Sequence, residues 1–117
     1  MTGKRRISHK GCRAKGHGFE RKIANEMKEF YPDARRHLEY QKCEAKGFDV
    51  ANTGPFLIQC KRNRLYAPIT KINEVKVSSE DQIPILVTKG DNLETMCVMK
   101  FSDFLKMLRR YCEKATH

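Results

Sequence analysis

The sequence predicts an α/β domain in which a mixed central β-sheet is flanked by helices. Apolar stripes of helical period alternate along the chain with short β-prone runs, and Gly, Pro, Asn and Asp clusters separate them. The resulting order is helix, strands, helix, strands, helix. With 117 residues there is material for one hydrophobic core. Apolar residues make up 39% of the chain, too many for a disordered polypeptide and ordinary for a folded one. Residues 1–17 read as a basic, Gly-containing flexible arm, and residues 18–117 as a single domain.

The elements follow in order. Phe19, Ile23, Met27 and Phe30 fall on one side of a helix over 18–31. Pro32 ends it, because proline disfavours helix at the residue before it. Residues 34–40 fit either a strand or a loop. Gly47 closes a polar stretch, and residues 48–51 form a short strand with Phe48 and Val50 on one face and Asp49 on the other. The turn Asn52-Thr53-Gly54-Pro55 leads into a second strand over 56–61. Alternation puts Phe56, Ile58 and Cys60 on one face and Leu57, Gln59 and Lys61 on the other. A hairpin between these strands would bring Asp49, Gln59 and Lys61 to one side of the sheet. Pro68 opens a helix to about Ser79, with Ile69, Ile72 and Val75 along it. Residues 83–88 are strongly β-prone, Gly90-Asp91-Asn92 is a turn, and 95–100 is the partner strand. Ser102 is placed to cap a last helix carrying Phe104, Leu105, Leu108 and Cys112.

Composition narrows the function. The net charge is +10, which suits a polyanionic partner. Lys4, Arg5, Arg6, Lys10, Arg13 and Lys15 have no acidic neighbours, so the arm can neutralise phosphates by salt-dependent, sequence-independent contact. Arg62, Asn63 and Arg64 are placed to grip a nucleic-acid backbone. No run of about 18 apolar residues exists, so no membrane span is expected. An amphipathic membrane-binding helix and a secretory leader are also missing from the pattern, which makes the cytoplasm the expected compartment, a host's if the source is viral. The five Cys are odd in number and irregular in spacing, as reduced thiols would be. No Gly-rich phosphate loop of the P-loop kind is present, so no nucleotide cofactor is expected.

Asp49 and Gln59-Cys60-Lys61 carry the chemistry. Cleaving a phosphodiester requires neutralised phosphate charge and an activated water, both of which a divalent metal provides. Mg²⁺ or Mn²⁺ takes oxygen ligands and keeps several waters. Asp49 offers a carboxylate, Gln59 an amide oxygen and Cys60 its backbone carbonyl. Lys61 can orient or deprotonate water or stabilise charge on the phosphate. Glu20, at the edge of the first helix's apolar stripe, can reach toward the sheet as a second carboxylate, whereas Glu26 and Glu29 face solvent. Singly, these residues read as a cross-strand ion pair, an exposed amide and an ordinary helix Glu. Their joint order and parity favour a site. Other groupings are weaker. His9, Cys12, His17 and Cys43 lack the paired spacing of a zinc site. Cys60 faces the core, where thiols are inert. His37 reads as a surface residue, and Tyr66 suits base stacking and domain packing equally.

Gly16-x-Gly18-Phe19-Glu20-Arg21 resembles the opening helix of cellular Holliday-junction resolvases. Gly47-Phe48-Asp49-Val50 and Ile58-Gln59-Cys60-Lys61-Arg62 resemble the core motifs of those resolvases and of Mrr-type restriction nucleases. The likeness is to the PD-(D/E)xK nuclease superfamily and spans residues 16–64. It implies a restriction-endonuclease-like core, Glu20, Asp49 and Gln59 as metal ligands, and Lys61 as the catalytic lysine. Phe48 stands where the motif has Pro, and Gln59 where it usually has Glu, which removes one negative charge. The expected activity is Mg²⁺- or Mn²⁺-dependent DNA cleavage, foremost by a Holliday-junction resolvase acting in recombination and repair. With no separate sequence-reading domain, such an enzyme reads DNA shape. Two symmetric cuts call for a homodimer, paired through the last helix or the strand near Thr95. The alternatives are an Mrr-like restriction or repair nuclease on duplex DNA and a non-catalytic nucleic-acid-binding module on the same fold.

Overall fold

A computed structural model describes residues 9–37 and 47–115, with side chains from Gly16 onward in the first helix. Lys4, Arg5, Arg6 and Cys43 lie outside the described residues, as do the side chains of His9, Cys12, Arg13 and Lys15. The elements are α1 (His9–Met27), β1 (Arg35–Arg36), β2 (Val50–Ala51), β3 (Phe56–Arg62), a 3-10 helix (Ile69–Glu74), β4 (Ile83–Lys89), β5 (Met96–Val98) and α2 (Phe101–Ala115). The predicted class holds: a mixed five-stranded sheet lies between helices.

The strands sit in sequence order, β1-β2-β3-β4-β5. All neighbours are antiparallel except β3 and β4, which run parallel with Ile58 opposite Ile85 and Cys60 opposite Val87. The β2–β3 connection is the expected hairpin. Asn52 and Gly54 take positive φ (65° and 62°), and Thr53 closes the turn by donating its hydroxyl to the Phe56 carbonyl at 2.6 Å. Gly54 is required twice over, since a Cβ there would also strike the Tyr31 ring.

Period-2 alternation along β3 and β4 divides the sheet. Ile58, Cys60, Ile83, Ile85 and Val87 face α1 and close a core with its Phe19, Ile23 and Ala24. Each large aliphatic side chain buried this way contributes about 1.5–3 kcal/mol. The opposite face carries Leu57, Gln59, Leu86 and Thr88, all buried. The β3–β4 crossover covers it with Ala67, Ile72 and Val75, and the Ala67 N–H donates to the Thr88 hydroxyl at 2.9 Å.

Several element boundaries differ from expectation: α1 stops at Met27 and leaves Phe30 exposed, β2 is only Val50–Ala51, and β5 is only Met96–Val98. α1 starts at His9, so residues 9–17 are helical and not part of an arm. Cys12 to Lys15 hold no helix breaker, and a polar helical turn leaves no apolar stripe to read. The segment after Pro68 is a 3-10 helix ending at Glu74, with Val75 already extended (φ −78°, ψ 122°). Within it only Ile72 is buried, and Val75, buried just past its end, belongs to the extended segment that follows. α2 begins at Phe101, where the Lys100 carbonyl accepts from the Asp103 and Phe104 N–H groups, so Ser102 lies within the first turn. Among the described residues no helix is long and apolar enough to cross a membrane.

Candidate functional site

The site is built on β3, the central strand, and on what its two sides bring to it. Asp49 comes from the β2 side. Its N–H donates to the Ile58 carbonyl at 2.7 Å, although Val50 is the residue paired with Ile58. Two consecutive residues opposite one give the count of a β-bulge, and bulges re-aim side chains. Here the Asp49 carboxylate turns onto the strand and accepts the Cys60 N–H at 2.7 Å. A strand N–H points within the sheet, so the carboxylate takes a position that a backbone carbonyl would hold in a regular ladder. It therefore lies near the plane of the sheet, between the Cys60 face and the face of Gln59 and Lys61. Strict alternation, which put Asp49 on the Gln59 face, does not carry through the bulge.

Gln59 and Lys61 share a face as expected, and both meet Glu74 at the end of the 3-10 helix. Gln59 Nε2 donates to Glu74 Oε1 at 3.0 Å, and Lys61 Nζ lies 3.8 Å from the same oxygen. Lys71 holds the other carboxylate oxygen at 2.9 Å. This hydrogen bond is the main reason the Glu74 carboxyl is held below its ordinary range, with the Lys61 charge acting in the same direction. Gln59 itself is buried, and among the described residues no donor reaches its Oε1.

Glu20 does reach from α1 to the sheet, where it meets Arg36 of β1: Arg36 Nε donates to Glu20 Oε1 at 2.9 Å. The Asp49 and Glu20 charges converge on the Cys60 thiol. Burial is the main force pushing that thiol far above its ordinary range, followed by Asp49 and then Glu20. Cys60 is thus a protonated core residue, as its position on the strand implied. Among the described residues no three His, Cys, Asp or Glu side chains gather closely enough to hold an ion by themselves. An oxygen site here has to draw on Gln59 and on backbone carbonyls as well.

The loop after β3 is divided in its roles. Arg62 pairs with Asp91 at 2.8 Å and is largely buried, which fastens the end of β3 to the β4–β5 turn. Asn63 and Arg64 are exposed beside it. The Tyr66 hydroxyl donates to the Glu94 carbonyl at 2.7 Å. His37 is half-buried and lies against Phe48, with ring centroids 4.8 Å apart and the rings tilted by 47°.

Glu74 and Arg36 were not anticipated from the sequence. Near Glu74 the sequence offers only the i,i+3 spacing from Lys71, which marks a local ion pair and not a contact with the sheet. Arg36 carried no signal, because its strand is only two residues long. No protein-family model, curated protein or solved structure matches the chain.

Proposed function

We propose that this protein is a divalent-metal-dependent DNA endonuclease on a restriction-endonuclease-like core, acting on branched DNA as a Holliday-junction resolvase in recombination and repair inside the cell. One observation carries the reading: the Asp49 carboxylate is docked on the backbone amide that separates Gln59 from Lys61. An acid is thus held on the backbone between the two residues that carry an amide oxygen and a lysine ammonium.

The donor set fits a hard cation. Asp49, Gln59 and the Cys60 carbonyl offer oxygen alone, and the buried Gln59 Oε1 lacks a donor among the described residues. These three residues, with Glu20 on the α1 side, would hold Mg²⁺ or Mn²⁺. Such an ion neutralises phosphate charge and lowers the pKa of water. Lys61, about one-third exposed, is available to a phosphate at the surface, where its ammonium stabilises developing negative charge or orients the attacking water. Asn63 and Arg64 extend the polar surface from the end of β3, and Arg21, Lys22, Lys28 and Arg35 add exposed positive charge. The net charge of +10 supplies the long-range attraction for DNA.

The reading includes a homodimer paired through α2. Phe104, Met107, Leu108 and Tyr111 leave an apolar stripe exposed on that helix. Beside it opens an apolar hollow of about 350 Å³ lined by Met27, Phe30, Phe56, Cys97 and Met107.

The experiment is cleavage of four-way junctions, flaps and linear duplexes with Mg²⁺ or Mn²⁺, alongside sedimentation of the protein. Junction cutting that is lost in Asp49→Asn and Lys61→Ala supports the proposal. Preference for duplex makes the protein an Mrr-like restriction or repair nuclease. Salt-sensitive DNA binding without metal binding or cutting makes it a binding module and refutes the enzymatic reading.

A further inference from the structure

We propose that Glu74 belongs to the site and supplies the carboxylate that Gln59 does not. The inference rests on the nuclease reading above and adds a residue outside the motif stretch.

Three contacts place Glu74. Its Oε1 accepts from Gln59 Nε2 and faces Lys61 Nζ, so it touches both motif residues on that face of β3. Its backbone is packed against Gly47, two residues before Asp49. Gly47 has φ 81°, and a Cβ there would collide with the Glu74 carbonyl. The end of the 3-10 helix is thereby wedged between the approach to Asp49 and the strand of Gln59 and Lys61.

Gln59 then points to a ligand. Its amide orientation is decided by Glu74, since a flipped amide would set oxygen against a carboxylate. The fixed orientation leaves Oε1 buried, with no donor among the described residues. A buried acceptor without a donor is destabilising. A simpler reading of Glu74, as the hub of a screened surface trio with Lys61 and Lys71, leaves that orphan acceptor unexplained. A cation held by oxygen ligands satisfies Gln59 Oε1 and uses the neighbouring carboxylate as well. Glu74 is suited to that task, being a half-exposed carboxylate in direct contact with Gln59.

The test is calorimetric titration of Mn²⁺ alone into the full chain and into Glu74→Gln, Asp49→Asn and the exchange variant Gln59→Glu/Glu74→Gln. Thermal midpoints without metal show that each variant is folded. Glu74→Gln is expected to weaken Mn²⁺ binding by about tenfold or more, and the exchange variant to recover most of it. If Asp49→Asn loses binding while Glu74→Gln keeps the wild-type affinity, Glu74 is a surface ion-pair residue and the nuclease reading stands without it. An exchange variant as weak as Glu74→Gln refutes the complementarity with Gln59. Absence of Mn²⁺ binding to the wild type, or wild-type binding by Asp49→Asn, removes the metal site and Glu74 with it.

Discussion

Replacing Asp49 separates its place in the sheet from its place in the chemistry. Asp49→Ala removes the acceptor of the Cys60 N–H, on a strand where Cys60 is 7% exposed. A hydrogen bond to a charged acceptor contributes about 1.5–3 kcal/mol, and an orphaned buried donor costs a similar amount. Taking about 2 kcal/mol, and roughly 4–8 °C per kcal/mol for a domain near this size, the midpoint should fall by about 8–16 °C. Asp49→Asn keeps an oxygen for the amide and loses only the charge. Its midpoint should fall by less than half as much, while DNA cleavage is lost as completely as in Asp49→Ala. The assay is thermal unfolding by circular dichroism, paired with junction cleavage at a temperature where both variants are folded. Equal midpoints for wild type and Asp49→Ala would refute the reasoning, because the carboxylate would then not be completing the β2–β3 ladder.

Other perturbations give different signatures. Lys61→Ala should lower cleavage by about 10²-fold or more and leave the midpoint within a few degrees, since its 3.8 Å pair with Glu74 is solvent-exposed and screened. Gly47→Ala forces a side chain into positive φ, a cost of about 1–2 kcal/mol before the collision with Glu74. Urea denaturation should show at least that loss, and an undiminished midpoint would contradict the packing. Cys60 should resist N-ethylmaleimide in the native protein and react once the chain is unfolded in urea, which peptide mass mapping would read. Because the Cys60 thiol stays protonated in the folded state, the unfolded chain alone releases that proton above its ordinary value of 9.0. Stability should therefore fall with rising pH above 9, by up to about 1.4 kcal/mol per unit from this group. The fall should be shallower in Cys60→Ala.

What the sequence could reveal depended on how local the cause was. β3 was legible because its alternating residues meet different environments, apolar Phe56, Ile58 and Cys60 toward α1 and Gln59 and Lys61 toward the crossover. The hairpin was legible because Asn52 and Gly54 are residue types that accept positive φ. The bulge at Asp49 was not, because it is defined by which residue of the partner strand it faces, and period-2 parity fails there. Glu74 was illegible for a similar reason: it meets Gln59 only after the chain has crossed the sheet and returned. Arg36 met Glu20 through a strand too short to show a pattern. The 3-10 helix buries Ile72 alone, so it carries no apolar repeat that could set it apart from the start of an α-helix.

The Cys60 amide has one further consequence. Most strand amides in this sheet donate to carbonyls, whose charge does not change with conditions. The Cys60 amide donates to a carboxylate, and charge-assisted bonds of this kind are short and polarise the donor. Its proton resonance should lie well downfield of its neighbours. It should shift when Asp49 is protonated or its charge is shared with a cation or phosphate. A single backbone resonance in the middle of β3 thus serves as a built-in spectroscopic gauge of the charge state of the proposed site, readable without a substrate and without altering a residue.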